Sequence, residues 1–270
     1  MPELPEVETT RLGLLPRLQG RTLTHIVVRN THLRWPVPSD LGARLEGYAL
    51  GGLTRRGKYL LFDFGHATQL VHLGMSGSLR FVDPNEPAAL HDHIDWTFDD
   101  RIVLRLRDPR RFGAVLWTSD PARHPLLAHL GPEPLTPAFD ALYLHVQCQR
   151  RSAAIKQVIM DAGTVVGVGN IYASESLFHA GIRPTTGARR LSRPACARLA
   201  AAIKQVLTAA IAAGGSSLRD YVHSSGELGY FQLQTRVYDR EGQPCKVCKT
   251  PIRRIVQGQR ASFYCPECQR

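Results

Sequence analysis

No run of apolar residues in this chain comes near the ~20 that a membrane span requires. The most apolar helical stretch, Ala195 to Ala213, is interrupted by Arg198, Lys204 and Gln205. The N-terminus lacks the basic flank and apolar core of a secretory signal, so a cytoplasmic, reducing location is expected. Acidic residues are scarce beside basic ones, 23 Asp+Glu against 34 Lys+Arg, for a formal net charge of +11. There is no internal repeat or low-complexity tract, and an apolar content of 43% is ample for packed cores, which excludes a disordered chain. No Gly-Lys-Ser/Thr closes a glycine-rich loop, which argues against a nucleotide-binding P-loop. Cysteines number only six, and in a reducing compartment they argue against a disulfide framework. What remains is a folded, basic protein whose charge points to a polyanionic partner. Nucleic acid ranks ahead of an acidic membrane surface, because the amphipathic basic helix a membrane partner would call for is missing.

What is there divides along the chain. Val7, Leu12, Leu14, Leu15 and Leu18 give the residues after Leu4 an apolar helical face that ends near Gly20. The period then changes to two. Strands are expected at Thr22–Val28, Lys58–Phe64, Gln69–Leu73, Ile94–Phe98, Ile102–Leu106 and Arg111–Trp117, with a hairpin across Asp99-Asp100-Arg101. Gly131-Pro132-Glu133-Pro134-Leu135-Thr136-Pro137 is a proline-rich joint. Beyond it, helices are expected at Ala153–Asp161, Asn170–Ala180 and Pro194–Ala213. The expected fold class is α+β: an N-terminal β-sandwich flanked by helices, then a helical domain with a helix-two-turn-helix and a β-hairpin zinc finger. The expected boundaries are 1–130 for the sandwich, 131–150 for a linker, 151–235 for the helical domain and 236–270 for the finger.

The sharpest spacing signal is Cys245-x2-Cys248 followed, after sixteen residues, by Cys265-x2-Cys268. Each knuckle sets two thiolates on a tight turn, and four thiolates close a tetrahedral shell, so one structural Zn2+ with no open coordination position is expected. Two redox pairs are the alternative, but the βαβ context they favour is absent. Between the knuckles, Arg253, Arg254, Gln257, Gln259 and Arg260 read as a basic hairpin suited to phosphate. Cys148 and Cys196 fall outside the pattern and read as buried small hydrophobes. Gly163 to Gly169 leads into Asn170, a good N-cap for a helix that Gly181 ends.

At the other end, Pro2 becomes a secondary amine if Met1 is removed. Such an amine adds to an aldehyde-type carbon and forms an iminium ion, and an α-amino group titrating near ~8 leaves a useful neutral fraction at physiological pH. Glu3 beside it can move protons.

Five blocks then stand in order: Pro2-Glu3-Leu4-Pro5-Glu6-Val7-Glu8, His72-Leu73-Gly74-Met75-Ser76-Gly77, Asp108-Pro109-Arg110-Arg111-Phe112-Gly113, Val166-Gly167-Val168-Gly169-Asn170-Ile171-Tyr172-Ala173, and the four cysteines. Together they resemble the bacterial formamidopyrimidine-DNA glycosylase (8-oxoguanine-DNA glycosylase) family from the first residue to the last. The resemblance implies a bifunctional enzyme that excises oxidised purines and then cleaves the strand, with Pro2 as nucleophile and Glu3 as acid/base. It assigns Lys58 to β-elimination and Arg260 to δ-elimination and phosphate grip. His91, Arg110 and Arg151 would bind DNA, Arg151 standing where relatives carry lysine. His72, Lys156, Asn170 and Tyr238 match backbone contacts, and Glu6 lies close to the reactive site.

By the same resemblance, Met75, Arg110 and Phe112 fill the void left when the damaged nucleotide turns out of the stack. On strands alone, Met75 and Phe112 would read as core residues. Gly214 to Gly229 is expected to cover the lesion. The implied partner is damaged double-stranded DNA, met by a monomer without a membrane. Two other readings stay open: an endonuclease VIII-like enzyme acting on oxidised pyrimidines, whose opening resembles Pro-Glu-Gly-Pro where this chain has Pro2-Glu3-Leu4-Pro5, and a non-catalytic zinc-dependent DNA-binding module.

Overall fold

The structure, a computed structural model, describes residues 2–215 and 235–270. These form two compact units, one of residues 2–128 with 213–215 and one of residues 129–212 with 235–270. The expected lesion-covering stretch therefore lies outside the described residues, Gly214 and Gly215 excepted.

The first unit opens on α1 (Leu4–Leu18), which buries Leu4, Val7, Leu14 and Leu18 together with the polar Glu6 and Thr10. Leu12, expected on the apolar face, is instead 48% exposed. A 3.6-residue period starting from Leu4, Val7 and Leu14 places position 12 on the opposite side, and Thr10, which donates to the Glu6 carbonyl (2.8 Å), takes the inner position. Then follow β1 (Leu23–Val28), α2 (Leu41–Leu45), β2 (Gly52–Arg56), β3 (Tyr59–Asp63), β4 (Thr68–His72), β5 (Ser78–Val82), β6 (Asp92–Phe98), β7 (Val103–Arg107) and β8 (Ala114–Thr118). They form two four-stranded antiparallel sheets, ordered β1-β6-β7-β5 and β2-β3-β4-β8. Leu60, Phe62 and Val71 from one sheet and Ile94, Trp96, Leu104 and Leu106 from the other share a single core, as a sandwich requires. The hairpin expected across Asp99-Asp100-Arg101 is the β6–β7 connection.

The second unit contains α3 (Ala141–Gln149), α4 (Ile155–Met160), α5 (Asn170–Ala180), α6 (Arg193–Ala212) and the hairpin β9 (Arg253–Gln257) with β10 (Arg260–Tyr264). The stretch 131–150, expected as a linker, thus carries a helix. Asp140 caps α3 by accepting from the Tyr143 N–H (2.7 Å), and Leu144 and Cys148 are buried. By length and mean hydropathy (1.4), α6 is apolar enough to cross a membrane. Its Cys196, Leu199, Ile203, Val206, Leu207 and Ala210 are buried within the unit, where the helix packs on α3 and α5, and a core helix has this composition for that reason. Gly181 ends α5 in the left-handed conformation (φ +70°).

Candidate active site

Pro2, Glu3 and Glu6 are all buried at the N-terminal end of α1. Glu6 reaches back one turn and accepts from the Glu3 N–H (2.7 Å), which fixes the entry of the chain into the helix. Gly215 lies against the same carboxylate. At φ +80°, a Cβ there would sit 3.2 Å from Glu6 Oε1, so only glycine allows this approach without strain.

Lys58 occupies the two-residue turn Gly57-Lys58 between β2 and β3, with Arg56 paired to Tyr59 and Gly57 at φ +58°. A glycine in that position is what a tight hairpin turn requires. Arg55 braces the turn: it donates to the Gly57 carbonyl (2.9 Å) and to Glu8 on α1 (2.9 Å). Burial raises the Glu8 carboxyl, but hydrogen bonds and charge from Arg11 and Arg55 outweigh it and hold the group below its ordinary range. The helix that Pro2 and Glu3 lead into is thereby tied to the turn that carries Lys58. Sequence motifs give neither Glu8 nor Arg55 a role; the signal for Arg55 is its place in Arg55-Arg56-Gly57-Lys58.

His72 pairs across the sheet with Tyr59, their rings 4.8 Å apart. Burial, then the positive charges of Lys58 and Arg34, push its pKa down to about 4. The Gly74 N–H donates to Nδ1 (3.0 Å), so the neutral ring keeps its proton on Nε2, where it is a hydrogen-bond donor. Because the folded pKa lies below the unfolded value of 6.5, the stability this group contributes is complete above pH 6.5 and is lost as pH falls toward 4. Denaturant unfolding at pH 4.5 should show a loss of about 2–3 kcal/mol relative to pH 7.5 that is missing in His72→Asn.

Met75 lies in the β4–β5 loop, while Arg110 and Phe112 lie in the β7–β8 loop. Met75 is 37% and Phe112 43% exposed, so neither is a core residue. The Arg110 guanidinium stands 5.0 Å above the Phe112 ring. His91 is half-buried just before β6, its carbonyl accepting from the Asp108 N–H (3.0 Å).

In the second unit, Lys156 is 1% exposed and its Nζ donates to Asn170 Oδ1 (2.7 Å), the Ala261 carbonyl (3.0 Å) and Ser262 Oγ (2.7 Å). Asn170 also donates to Ala261 (3.0 Å). The N-cap of α5 is Gly169, and Asn170 is the first helical residue. Its amide is turned to Lys156 and the hairpin rather than to the helix end, which corrects the expectation that it caps. Lys156 and Asn170 thus join α4 and α5 to β10, the strand that Arg260 opens. Arg260 itself is exposed and, with Lys156, Gln157, Asp161 and Gly258, lines a cavity of about 250 Å³. Arg151 is half-buried and pairs with Asp161 (2.7 Å) while also donating to Thr164 Oγ1. Tyr238 packs its ring 5.2 Å from Phe263, and its N–H donates to Glu175 (2.8 Å), a buried carboxylate that also accepts from the Arg236 and Val237 N–H groups. Glu175 carries no motif signal of its own beyond lying in the helix after Asn170.

The Sγ atoms of Cys245, Cys248, Cys265 and Cys268 all lie within 4.8 Å of one another, with separations of 3.9, 3.4 and 3.5 Å for 245–268, 248–265 and 248–268. A tetrahedral shell with Zn–S of about 2.3 Å sets its sulfurs about 3.8 Å apart. The four cysteines fit one structural zinc. Gly258 and Gln259, both at positive φ (52° and 62°), turn the hairpin above them. Cys148 and Cys196 are buried away from this cluster.

Three family models match in chain order: the formamidopyrimidine-DNA glycosylase N-terminal domain over residues 1–115, its H2TH domain over 130–222, and the zinc finger found in FPG and IleRS over 242–270. A formamidopyrimidine-DNA glycosylase N-terminal domain, an H2TH domain and a zinc finger in that order define a zinc-finger DNA-repair glycosylase. Formamidopyrimidine-DNA glycosylase of Thiobacillus denitrificans is 77% identical over the whole of both chains. Among solved structures, the MutM (Fpg) protein of Thermus thermophilus is 38% identical at a TM-score of 0.90, covering 99% of this chain and 98% of its own. Lactococcus lactis Fpg bound to DNA containing an abasic site is 32% identical at 0.92, covering 99% of both. The chain belongs to the formamidopyrimidine-DNA glycosylase family.

Proposed function

We propose that this protein excises oxidised purines, formamidopyrimidines and 8-oxoguanine, from duplex DNA and then cleaves the strand through a Schiff base on Pro2. The observation that carries the reading is the burial of Pro2, Glu3 and Glu6 at the start of α1, with Lys58 braced to that helix through Arg55 and Glu8. The nitrogen of Pro2, freed by loss of Met1, bonds to the sugar C1′ as the C1′–base bond breaks and the base leaves with a proton. Glu3 transfers protons as the sugar ring opens. The resulting iminium draws electrons from C2′, whose proton is lost as the 3′ phosphate departs. A second elimination, with Arg260 at the phosphate, releases the 5′ phosphate. Zinc supplies no chemistry; it holds the hairpin on which Arg260 sits. Met75, Arg110 and Phe112 occupy the gap in the stack, a role suited to exposed apolar side chains and an arginine able to pair with the orphaned base. DNA bound by the Lactococcus relative supports the same partner here.

Incubating the protein separately with duplexes bearing 8-oxoguanine and thymine glycol tests the substrate class. Faster excision of 8-oxoguanine is expected. Preference for thymine glycol would support the endonuclease VIII-like reading, and binding without turnover the non-catalytic one.

A further inference from the structure

The short crossings from one sheet to the other, residues 73–77 between β4 and β5 and residues 108–113 between β7 and β8, are held by a single carboxylate. Asp108 is 0% exposed. Its Oδ1 accepts from the Ser76 hydroxyl (2.9 Å) in the first loop, and its Oδ2 accepts from the Gly113 N–H (2.8 Å) at the end of its own. Ser76 Oγ in turn accepts from the Arg110 N–H (3.3 Å), so the hydroxyl links both sides. Gly74 closes the contact: at φ +63°, a Cβ there would lie 2.4 Å from the Phe112 carbonyl carbon. Arg111, between the two proposed DNA-facing residues, is held at φ +56°, a conformation other residues than glycine seldom adopt. Burying a carboxylate is costly unless donors satisfy its oxygens. Here the donors belong to the two loops, so the carboxylate is satisfied only while the loops keep this arrangement.

We propose that Asp108, acting through Ser76, is a positioning residue that presets the wedge. It holds Met75 on one loop and Arg110 and Phe112 on the other in their inserting register before DNA arrives. This rests on the reading of those three side chains as void-fillers. Two substrates separate the roles: a duplex with 8-oxoguanine opposite cytosine, and a single strand with an abasic site, which has no stack to hold open. Asp108→Asn removes the charge and replaces one acceptor with an N–H group, so either the Gly113 N–H loses its acceptor or the Ser76 hydroxyl must turn its hydrogen away. Ser76→Ala removes the link. Each should lower the duplex kcat by roughly ten- to hundredfold, the scale of a small misplacement, and leave single-strand cleavage within about twofold. Ser76→Thr, which keeps the hydroxyl, should restore the duplex rate. Unchanged duplex rates in Asp108→Asn and Ser76→Ala, or equal losses on both substrates, would overturn the inference alone. A wild-type protein inert on both substrates would instead remove the functional reading, and this inference with it.

Discussion

Removing the zinc, by chelation or by Cys248→Ala, is expected to unfold the cysteine-bearing hairpin and to abolish tight binding to lesion-bearing duplexes. The apolar cluster beneath it is small, comprising Phe178, Val237, Ile252 and Phe263 with Cys245 and Cys265. A two-stranded hairpin on so little core is marginal by itself. Binding of zinc by four thiolates contributes about 10–16 kcal/mol in small finger units, and where the site forms only on folding that is folding free energy. Exposed Arg253, Arg254 and Arg260 then lose their fixed spacing. Every phosphate that the hairpin no longer neutralises should flatten the dependence of log affinity on log salt by about 0.9. Titrating a lesion duplex at several salt concentrations, with and without chelator, measures both effects. Equal affinity and equal slope after verified zinc loss would contradict this role for the finger.

Glu3→Gln is expected to slow base excision by about 10²- to 10⁴-fold, the range of a positioned acid/base. The substitution keeps length and shape and removes the ability to exchange a proton. Glu3 is also the N-cap of α1, so some stability accompanies the change, about 1 kcal/mol for a weakened cap. That loss is too small to unfold a domain, and a thermal melt of the variant separates it from the kinetic effect. Single-turnover excision of 8-oxoguanine provides the rate. A variant within about twofold of wild type would show that protons move by another group.

The parts of this protein that sequence displays are those whose residues answer to one another locally. The two Cys-x2-Cys knuckles define their own turn geometry, and α5 is bounded by a glycine-rich entry and Gly181, so both follow from spacing. β2 does not, because Gly52-Leu53-Thr54-Arg55-Arg56 has one apolar residue in five and no period of two. Its place in the sheet is set by pairing with β3. β5 begins directly after the Gly74–Gly77 turn, whose glycines obscure the alternation of Leu79 and Phe81. α3 follows a proline-rich joint and buries few residues, so its neighbours decide it more than its pattern does.

At the site, Pro2 and Glu3 stand out in the sequence by their chemistry, while Lys58 and Arg260 are assigned only through the family resemblance. The contacts that hold the surrounding segments together lie at long sequence separation: Glu8 to Arg55, Ser76 to Asp108, and Lys156 to Ser262. Lys156 is the instructive case. Its charge suggests a phosphate contact, yet its Nζ is engaged by Asn170, Ala261 and Ser262 within the fold. Arg151 likewise shares its charge with Asp161. Charge is visible in a sequence, but what a charge already holds is a property of the fold.

Reductive capture with borohydride, followed by peptide mapping of the protein–DNA adduct by mass spectrometry, addresses the central chemistry most directly. The cross-link is expected on the nitrogen of Pro2 in a chain that has lost Met1. A cross-link on a lysine side chain, or undiminished capture by a protein whose N-terminus is blocked, would contradict it.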